Sequence, residues 1–577
     1  MTYLGEAKSL PHLFQLSCQT WGLKVAMRIP HGKTRRDISF TQLYKDVHAM
    51  AGAVRSYGLV RGDALCLFSE NCYEWALLDW ACQTLGIILV PVYPTLPADQ
   101  AKYIADDCRA KLFVSGSQPH HERIDGVIHI QKILLKGEPD ALLERSKTTD
   151  WPQADWEAEI AKATLADVAT IIYTSGTTGN PKGAVLTHEA FVSLVTNVRS
   201  QLPIDEHDTF LSWLPMAHVY ERFAGLVLPT SVGATVVYAG SLATLANDLQ
   251  EAQPTIMLAV PRFLESMRER ILDSTKKMPP IRRRLFEMAL AQGTTKLRGG
   301  FAPLSGLLDK LVGEKIRART GGKLKFFVSG GAAMPLHVYE FFGAFGLKVL
   351  QGYGLTETCA ATSFNPPTDN HPDTVGIPLD GLQVRIAADG EILIKGPSVM
   401  RGYHNLPDAT REAIDPEGWF HTGDVGKFVG KHLKITDRKK DILVLENGKN
   451  VAPQPIESKL RESRYIAEVV LLGDGQSYVG ALVVPDLDHV GAYVKEQGMK
   501  VDDPSHLLDH EPVRALIKGE IDKVNKVLAD YEKIKRYELI SARFSVETGE
   551  LTPSLKVKRK VVMERQSEAI KRLFKQG

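Results

Sequence analysis

Apolar and polar residues along this chain fall into runs whose period and length separate helices from strands. From Phe40 to Tyr57 apolar side chains recur at helical spacing, the signature of a helix with one buried face. Ala64 to Phe68 is a short, continuous apolar run, as in a strand covered on both sides. Glu74 to Leu85 has the length of a helix, Ile87 to Val92 reads as a strand, Ala98 to Cys108 as a helix and Leu112 to Ser115 as a strand. The alternation predicts an α/β layered fold with mostly parallel strands. It resumes at Thr235–Tyr238, Ile256–Val260 and Leu324–Ser329, all strand candidates.

From about residue 374 the pattern becomes β-rich, with short strands at Val384–Ile386, Glu391–Ile394 and Leu433–Ile435. A charged punctuation, Asp437-Arg-Lys-Lys-Asp441, follows. The remainder is long enough to form its own small core. It reads as strands at Ile442–Leu445, Glu468–Leu472 and Val479–Val484 with a helix at Val513–Leu528, an α+β pattern. The expected organisation is therefore a large layered α/β domain over 1–436, carrying a β-rich subdomain, and a small, mobile α+β domain over 437–577.

The densest chemistry lies in Tyr173–Gly183, where three glycines, four Ser or Thr hydroxyls and one lysine stand between two apolar runs. Glycine lets a backbone approach a polyphosphate closely, hydroxyls and N–H groups can cradle it, and a lysine can neutralise its charge. The pattern G-x-x-x-x-G-K-[ST] running straight into a helix does not apply. Pro181 precedes Lys182, Gly183 follows it, and helical spacing starts only after His188. The loop thus turns between two strands, and a ligand-free surface hairpin is the competing reading. Three further stretches offer matching chemistry. Gln351–Thr358 flanks a tyrosine with glycines and adds a hydroxyl and a carboxylate, suited to a purine face and a hard cation. Gly418–Asp424 ends in a carboxylate able to accept from ribose hydroxyls. Trp213–Arg222 carries His218 on an apolar segment, where a packed core histidine is the competing reading.

The stretch at 173–183 resembles the phosphate loop of the adenylate-forming superfamily, which includes acyl-CoA synthetases, firefly luciferase and peptide-synthetase adenylation domains. Residues 351–358 resemble that superfamily's adenine and magnesium motif, and 417–440 the signature of fatty acyl-CoA synthetases. The resemblance extends over nearly the whole chain. It implies activation of a long-chain fatty acid by ATP to acyl-AMP and pyrophosphate, followed by transfer to coenzyme A. It also implies residue roles. Thr174, Ser175, Gly176, Thr177, Thr178, Gly179 and Lys182 would hold the phosphates. Gly330, Gly331 and Ala332 would line one side of adenine, and Gly352, Tyr353 and Gly354 the other. Thr356 would touch the α-phosphate, and Glu357, with Thr174, would hold Mg²⁺. Asp424 and Arg438 would contact the nucleotide and His218 the carboxylate. Lys556 would enter the site during adenylation, with Lys558 as competitor. Lys440 would serve as the hinge, and Gly448 would border the coenzyme A path. A ligase that passes the acyl group to a carrier protein, and a non-catalytic acyl- or AMP-binding regulator, are the alternatives.

Composition narrows the setting. The 577 residues are 44% apolar and 24% charged with a net charge of +2, ordinary for a globular protein and without the excess that a nucleic-acid partner calls for. Six cysteines show no metal or disulfide spacing and read as thiols of a reducing compartment, which points to the cytoplasm. No signal peptide or transmembrane run is expected. The charged, helix-biased stretch from Glu265 to Gly322, with Arg282–Arg284, reads as a solvated face. A peripheral membrane contact and a homodimer remain open. Between Lys556 and Lys575 eight Lys or Arg stand against two Glu, the pattern of a basic terminal helix.

Overall fold

A computed structural model describes residues 7–32, 34–174, 180–498, 507–508, 510–545, 548–551 and 557–574. Two large sheets organise the first four hundred residues. One has a parallel centre ordered Lys348–Tyr353, Phe326–Ser329, Ile256–Ala259, Thr209–Ser212, Thr235–Tyr238 and Val25–His31. Antiparallel strands close it, Thr34–Ser39 at one edge and Ser363–Phe364 with Ile377–Pro378 at the other. The second sheet runs Gly402–Tyr403, Lys182–Thr187, Val168–Thr174, Ile88–Val92, Ala64–Phe68, Leu112–Ser115 and Gln131–Leu134. Its strands are parallel apart from the first two junctions. Mixed, mainly parallel sheets with helical crossovers are what the alternating sequence runs dictate.

The helix Tyr73–Leu85 belongs to the main core. Every residue in it except Glu74 is buried, which explains why its sequence lacks an amphipathic stripe. It carries one ionised side chain inward. Arg222 Nε donates to Asp79 Oδ2 at 2.8 Å, and Nη2 donates to the other oxygen, so the pair is bidentate. The guanidinium also lies over the rings of Trp75 and Phe191.

A four-stranded antiparallel sheet, Gln383–Ile386, Glu391–Lys395, Phe420–Val429 and His432–Arg438, follows. The last segment holds a three-stranded sheet of Ile466–Leu472, Val479–Pro485 and Ile534–Leu539, packed by the helices Pro453–Leu460 and Glu511–Asn525 around its own core. Strands and helices lie where the periodicity places them, to within two or three residues at most ends. The antiparallel pair Val25–His31 and Thr34–Ser39 has no counterpart in the sequence reading, because Thr34–Ser39 faces largely outward and is polar. Among the described residues no helix is long and apolar enough to cross a membrane.

Candidate active site

Three strands of the first sheet's parallel centre bring the motifs to one edge. Thr209–Ser212 leads into 213–222, Phe326–Ser329 into 330–332 and Lys348–Tyr353 into 354–358. The last two strands are direct neighbours, with Ser329 opposite Gln351. All three segments leave the carboxyl ends of their strands, the edge at which open α/β sheets bind ligands. The Gln351 side chain also accepts from Met334 N–H at 3.1 Å, tying the 330–334 segment to the neighbouring strand.

The glycine-rich loop joins two antiparallel strands, with Thr174 opposite Lys182. Gly183 is required by space: a Cβ there would lie 2.7 Å from Ile171 Cγ2. The helix begins at His188 behind Thr187, whose hydroxyl caps Ala190 N–H at 3.3 Å. The strand–turn–strand–helix order is that read from the sequence. Ser175, Gly176, Thr177, Thr178 and Gly179 lie outside the described residues. Thr174 is half-buried and donates to Lys182 O at 3.4 Å.

Lys182 connects to Glu357 through a residue that sequence reasoning missed. Its Nζ stands 5.1 Å from the ring centroid of Tyr403, and the Tyr403 hydroxyl donates to Glu357 Oε1 at 2.8 Å. Burial, reinforced by the Glu357 charge, holds the Tyr403 phenol well above its ordinary range, so it stays a donor. Tyr403 sits on the two-residue strand Gly402–Tyr403 beside Lys182–Thr187. So short a strand has no periodicity to mark it.

Glu357 and Thr356 occupy a single 3-10 turn, Thr356–Thr358, in which Leu355 N–H donates to Thr358 Oγ1 at 2.9 Å. Cys359 and Ala360 then adopt positive φ, 55° and 89°, and fold the chain back. The fold-back sets the Ala360 carbonyl against Gly354, where a Cβ would lie 2.0 Å from that oxygen. Gly354 is therefore demanded by packing. Gly352 meets nothing closer than 3.4 Å.

Asp424 and Arg438 face each other on the hairpin strands Phe420–Val429 and His432–Arg438. Arg438 Nε donates to Asp424 Oδ1 at 2.9 Å, and the Tyr353 hydroxyl donates to Oδ2 at 2.7 Å. Tyr353 is buried, and burial together with the Asp424 charge keeps its phenol protonated. A carboxylate offers about four acceptor positions, so each oxygen retains capacity for one more donor. Gly330 packs beneath the Tyr220 ring, while Gly331, at φ +84°, and Ala332 are exposed.

On the 213–222 segment His218 Nδ1 accepts from Tyr220 N–H at 3.1 Å, so the neutral ring carries its proton on Nε2. The Tyr93 ring approaches it edge-on at 6.5 Å. Glu221, the next acid, is fully buried. It faces the Ser212 hydroxyl and the N–H groups of Trp213 and Leu214, yet neither oxygen has a partner in good geometry. Burial outweighs these neighbours and raises its pKa to about 8.

Lys440 is exposed on the turn after Arg438, and Gly448 caps a small hairpin at φ +74°. Lys556 lies outside the described residues; the backbone of Lys558 donates to Glu550 O at 2.7 Å. Arg262, near the start of the helix Pro261–Lys276, reaches Glu468 of the small sheet at 2.6 Å. Asp369, His371 and His432 gather elsewhere, with Lys431 paired to the Asp369 carboxylate at 2.8 Å.

Comparison with known proteins fits this layout. The family model described as AMP-binding enzyme matches residues 14–404, and that described as AMP-binding enzyme C-terminal domain matches 440–577. The chain is similar to the long-chain-fatty-acid–CoA ligase FadD15 of Mycobacterium bovis, 32% identical over 93% of this chain and 92% of that protein. It is also similar to the peroxisomal long chain acyl-CoA synthetase 6 of Arabidopsis thaliana, 30% identical over 92% and 80% of the respective chains. The fold matches ATP-bound MatB from Rhodopseudomonas palustris with a TM-score of 0.73, at 22% identity over 97% of this chain and 99% of that one.

Proposed function

The chain belongs to the AMP-binding enzyme family, and we propose that it is a long-chain fatty acid–coenzyme A ligase that forms acyl-AMP as its intermediate. The observation that carries the reading is Asp424, buried between the Tyr353 hydroxyl and Arg438 at the strand edge where 330–332 and 354–358 meet. ATP and coenzyme A are its co-substrates and the fatty acid is its acyl donor.

Asp424 accepts from the ribose hydroxyls of ATP with the acceptor positions that Tyr353 and Arg438 leave. Tyr353 and Gly352–Gly354 form one wall for adenine, and Gly330–Ala332 the other. The phosphates lie along Thr174–Gly179 with Lys182 as their cation, and Thr356 contacts the α-phosphate. Glu357 suits Mg²⁺: one oxygen accepts from Tyr403, and among the described residues the other makes no hydrogen bond to protein. Thr174 is its neighbour in that role. Magnesium, when bound, neutralises phosphate charge and prefers such sparse oxygen ligation. His218, donating through Nε2, orients the acid; a carboxylate is already ionised at neutral pH and needs no base.

The carboxylate oxygen then attacks the α-phosphorus in line with the leaving pyrophosphate. Lys556 stabilises that charge, and the coenzyme A thiolate afterwards displaces AMP from the acyl carbon. The chain divides at 437–441 into domains 1–436 and 437–577. Rotation about Lys440 exchanges Lys556 for the Gly448 hairpin, which borders the pantetheine path. Peripheral contact with a membrane belongs to the same reading.

Release of AMP that needs ATP, coenzyme A and a fatty acid together, compared across acids from short to long, tests the proposal. Dependence on all three with preference for long acids is expected. Acyl-AMP that accumulates and is never passed to coenzyme A would overturn the ligase reading.

A further inference from the structure

One group of ligating side chains lies outside the nucleotide site. Asp369 and His371 stand on the loop after the strand Ser363–Phe364, and His432 opens the strand His432–Arg438. One ligand atom from each lies within 4.8 Å of the other two. His371 Nε2 is 3.0 Å from Asp369 Oδ1, and His432 Nε2 is 3.2 Å from Asp369 Oδ2. Around a tetrahedral zinc ion, with bonds of about 2.0–2.1 Å, ligand atoms stand about 3.3 Å apart. His432 is 4% exposed, whereas His371 is open to solvent, so the group is fixed at its base and accessible from outside.

The hydrogen bonds beneath decide what His432 presents. Asn365 is fully buried. Its Nδ2 donates to His371 O at 3.1 Å and to Thr374 O at 2.9 Å, which fixes the amide with Oδ1 as acceptor. Oδ1 accepts from His371 N–H at 3.2 Å and from the Thr374 hydroxyl at 3.1 Å. The same oxygen lies 3.2 Å from His432 Nδ1. Two acceptors cannot bond each other, so Nδ1 carries the proton and donates. The Thr374 hydroxyl, 3.5 Å from Nδ1, has nearer acceptors in Asn365 Oδ1 and the His371 carbonyl. The neutral His432 ring therefore turns a bare lone pair on Nε2 toward the Asp369 carboxylate. Nε2 is buried and makes no hydrogen bond in good geometry among the described residues. Lone pair against lone pair is repulsive, and a cation between them reverses the sign. Imidazoles that ligate metals are oriented in this manner, with the second N–H held by a fixed oxygen.

We propose that Asp369, His371 and His432 bind a zinc ion, with water completing its coordination. Two imidazoles and a carboxylate suit zinc better than magnesium, which prefers oxygen ligands. Lys431 is the competitor. Its Nζ pairs with Asp369 Oδ2 at 2.8 Å, but the side chain is 66% exposed and free to swing into water. The ion fastens two sheets together. Asn365 N–H donates to Gln351 O of the first sheet at 2.8 Å, and Leu433 N–H, next to His432, donates to Gly376 O at 2.7 Å. The strand that His432 opens ends in Arg438, the partner of Asp424. The role is structural, and no step of the reaction passes through the ion.

Calorimetric titration of the full chain with Zn²⁺, after a chelator has stripped it of metal, tests the proposal. One zinc per chain is expected, with a melting temperature that rises with zinc concentration. His371→Ala removes an exposed ring, keeps the backbone bonds to Asn365 and should leave the metal-free melting temperature unchanged. It should weaken zinc binding at least about ten-fold, since loss of even an outer-sphere partner has that effect. Asp369→Asn should weaken it as much. Lys431→Ala should tighten binding by removing the competing cation, and excess Mg²⁺ should not displace the zinc. Absence of zinc uptake by the wild type would overturn the proposal and leave a proton or Lys431 as the counter-charge. Uptake undiminished in both His371→Ala and Asp369→Asn would overturn it by placing the ion elsewhere.

Discussion

Two arginine–aspartate pairs in this protein have similar chemistry and opposite surroundings. Arg222 and Asp79 are sealed in the core with side chains 1% and 3% exposed; their partners are each other, the rings of Trp75 and Phe191, and the Gln83 amide, which donates to Asp79 Oδ1 at 3.1 Å. Arg438 and Asp424 share one buried partner, Asp424 at 4%, but the guanidinium is 36% exposed and the carboxylate also takes the Tyr353 hydroxyl. A pair closed on both sides can only hold structure. A pair with one open side can hold structure and still accept a ligand, and only the second lies where the nucleotide motifs converge.

Breaking the closed pair from one side should have the largest effect on stability. Arg222→Ala leaves the buried Asp79 carboxyl without its cation and is expected to cost about 3–5 kcal/mol in chemical denaturation. Replacing both partners, Asp79→Leu with Arg222→Met, should recover most of that loss, since no charge is then stranded. A loss as large in the double variant would show that the pair does more than balance charge.

The open pair should fail differently. If Asp424 takes the ribose hydroxyls as proposed, Asp424→Ala removes charged hydrogen bonds each worth about 1.5–3 kcal/mol, and nucleotide affinity should fall by at least about ten-fold. Titration of ATP by calorimetry measures this.

A quieter effect is expected at Glu221, beside His218. Its folded pKa, about 8, lies above the ordinary carboxylate value. The native state therefore holds a proton that the unfolded state releases, and stability should decline as pH rises through the interval up to about 8. Glu221→Gln keeps the shape without the titration and should flatten that decline in melting curves measured from pH 5 to 9, roughly the window of the shift. An unchanged slope would place the titration elsewhere.

The smallest effect belongs to the bridge between Arg262 and Glu468, a partly exposed pair. Glu468→Gln should cost no more than about 1 kcal/mol in stability. Because it links the large lobe to the small sheet, its use is to report lobe movement: the ratio of acyl-AMP formation to thioester formation should shift while the melting temperature barely moves.

How much of this was legible in the sequence depended on distance along the chain. The hairpin at 168–187 and the helix after His188 were readable because period and turn residues are local signals. The motifs holding Tyr353, Asp424 and Arg438 were legible as patterns, but the hydrogen bonds joining residues 71 and 14 positions apart were not. Asp79 read only as an interruption in an apolar run, since nothing nearby announces a partner 143 residues away. Tyr403 was invisible for a similar reason. Gly354 was legible as a flexible residue, whereas its requirement comes from the Ala360 carbonyl that the fold presses against it.

The contrast between the two pairs comes to one measurement. ATP binding and ligand-free melting temperature should be measured together for wild type and Asp424→Asn. The account predicts ATP affinity at least about ten-fold weaker with a melting temperature that stays close to wild type. Unchanged affinity, or a loss that follows a lowered melting temperature, would make Asp424 and Arg438 a second structural pair and contradict the assignment of the nucleotide site.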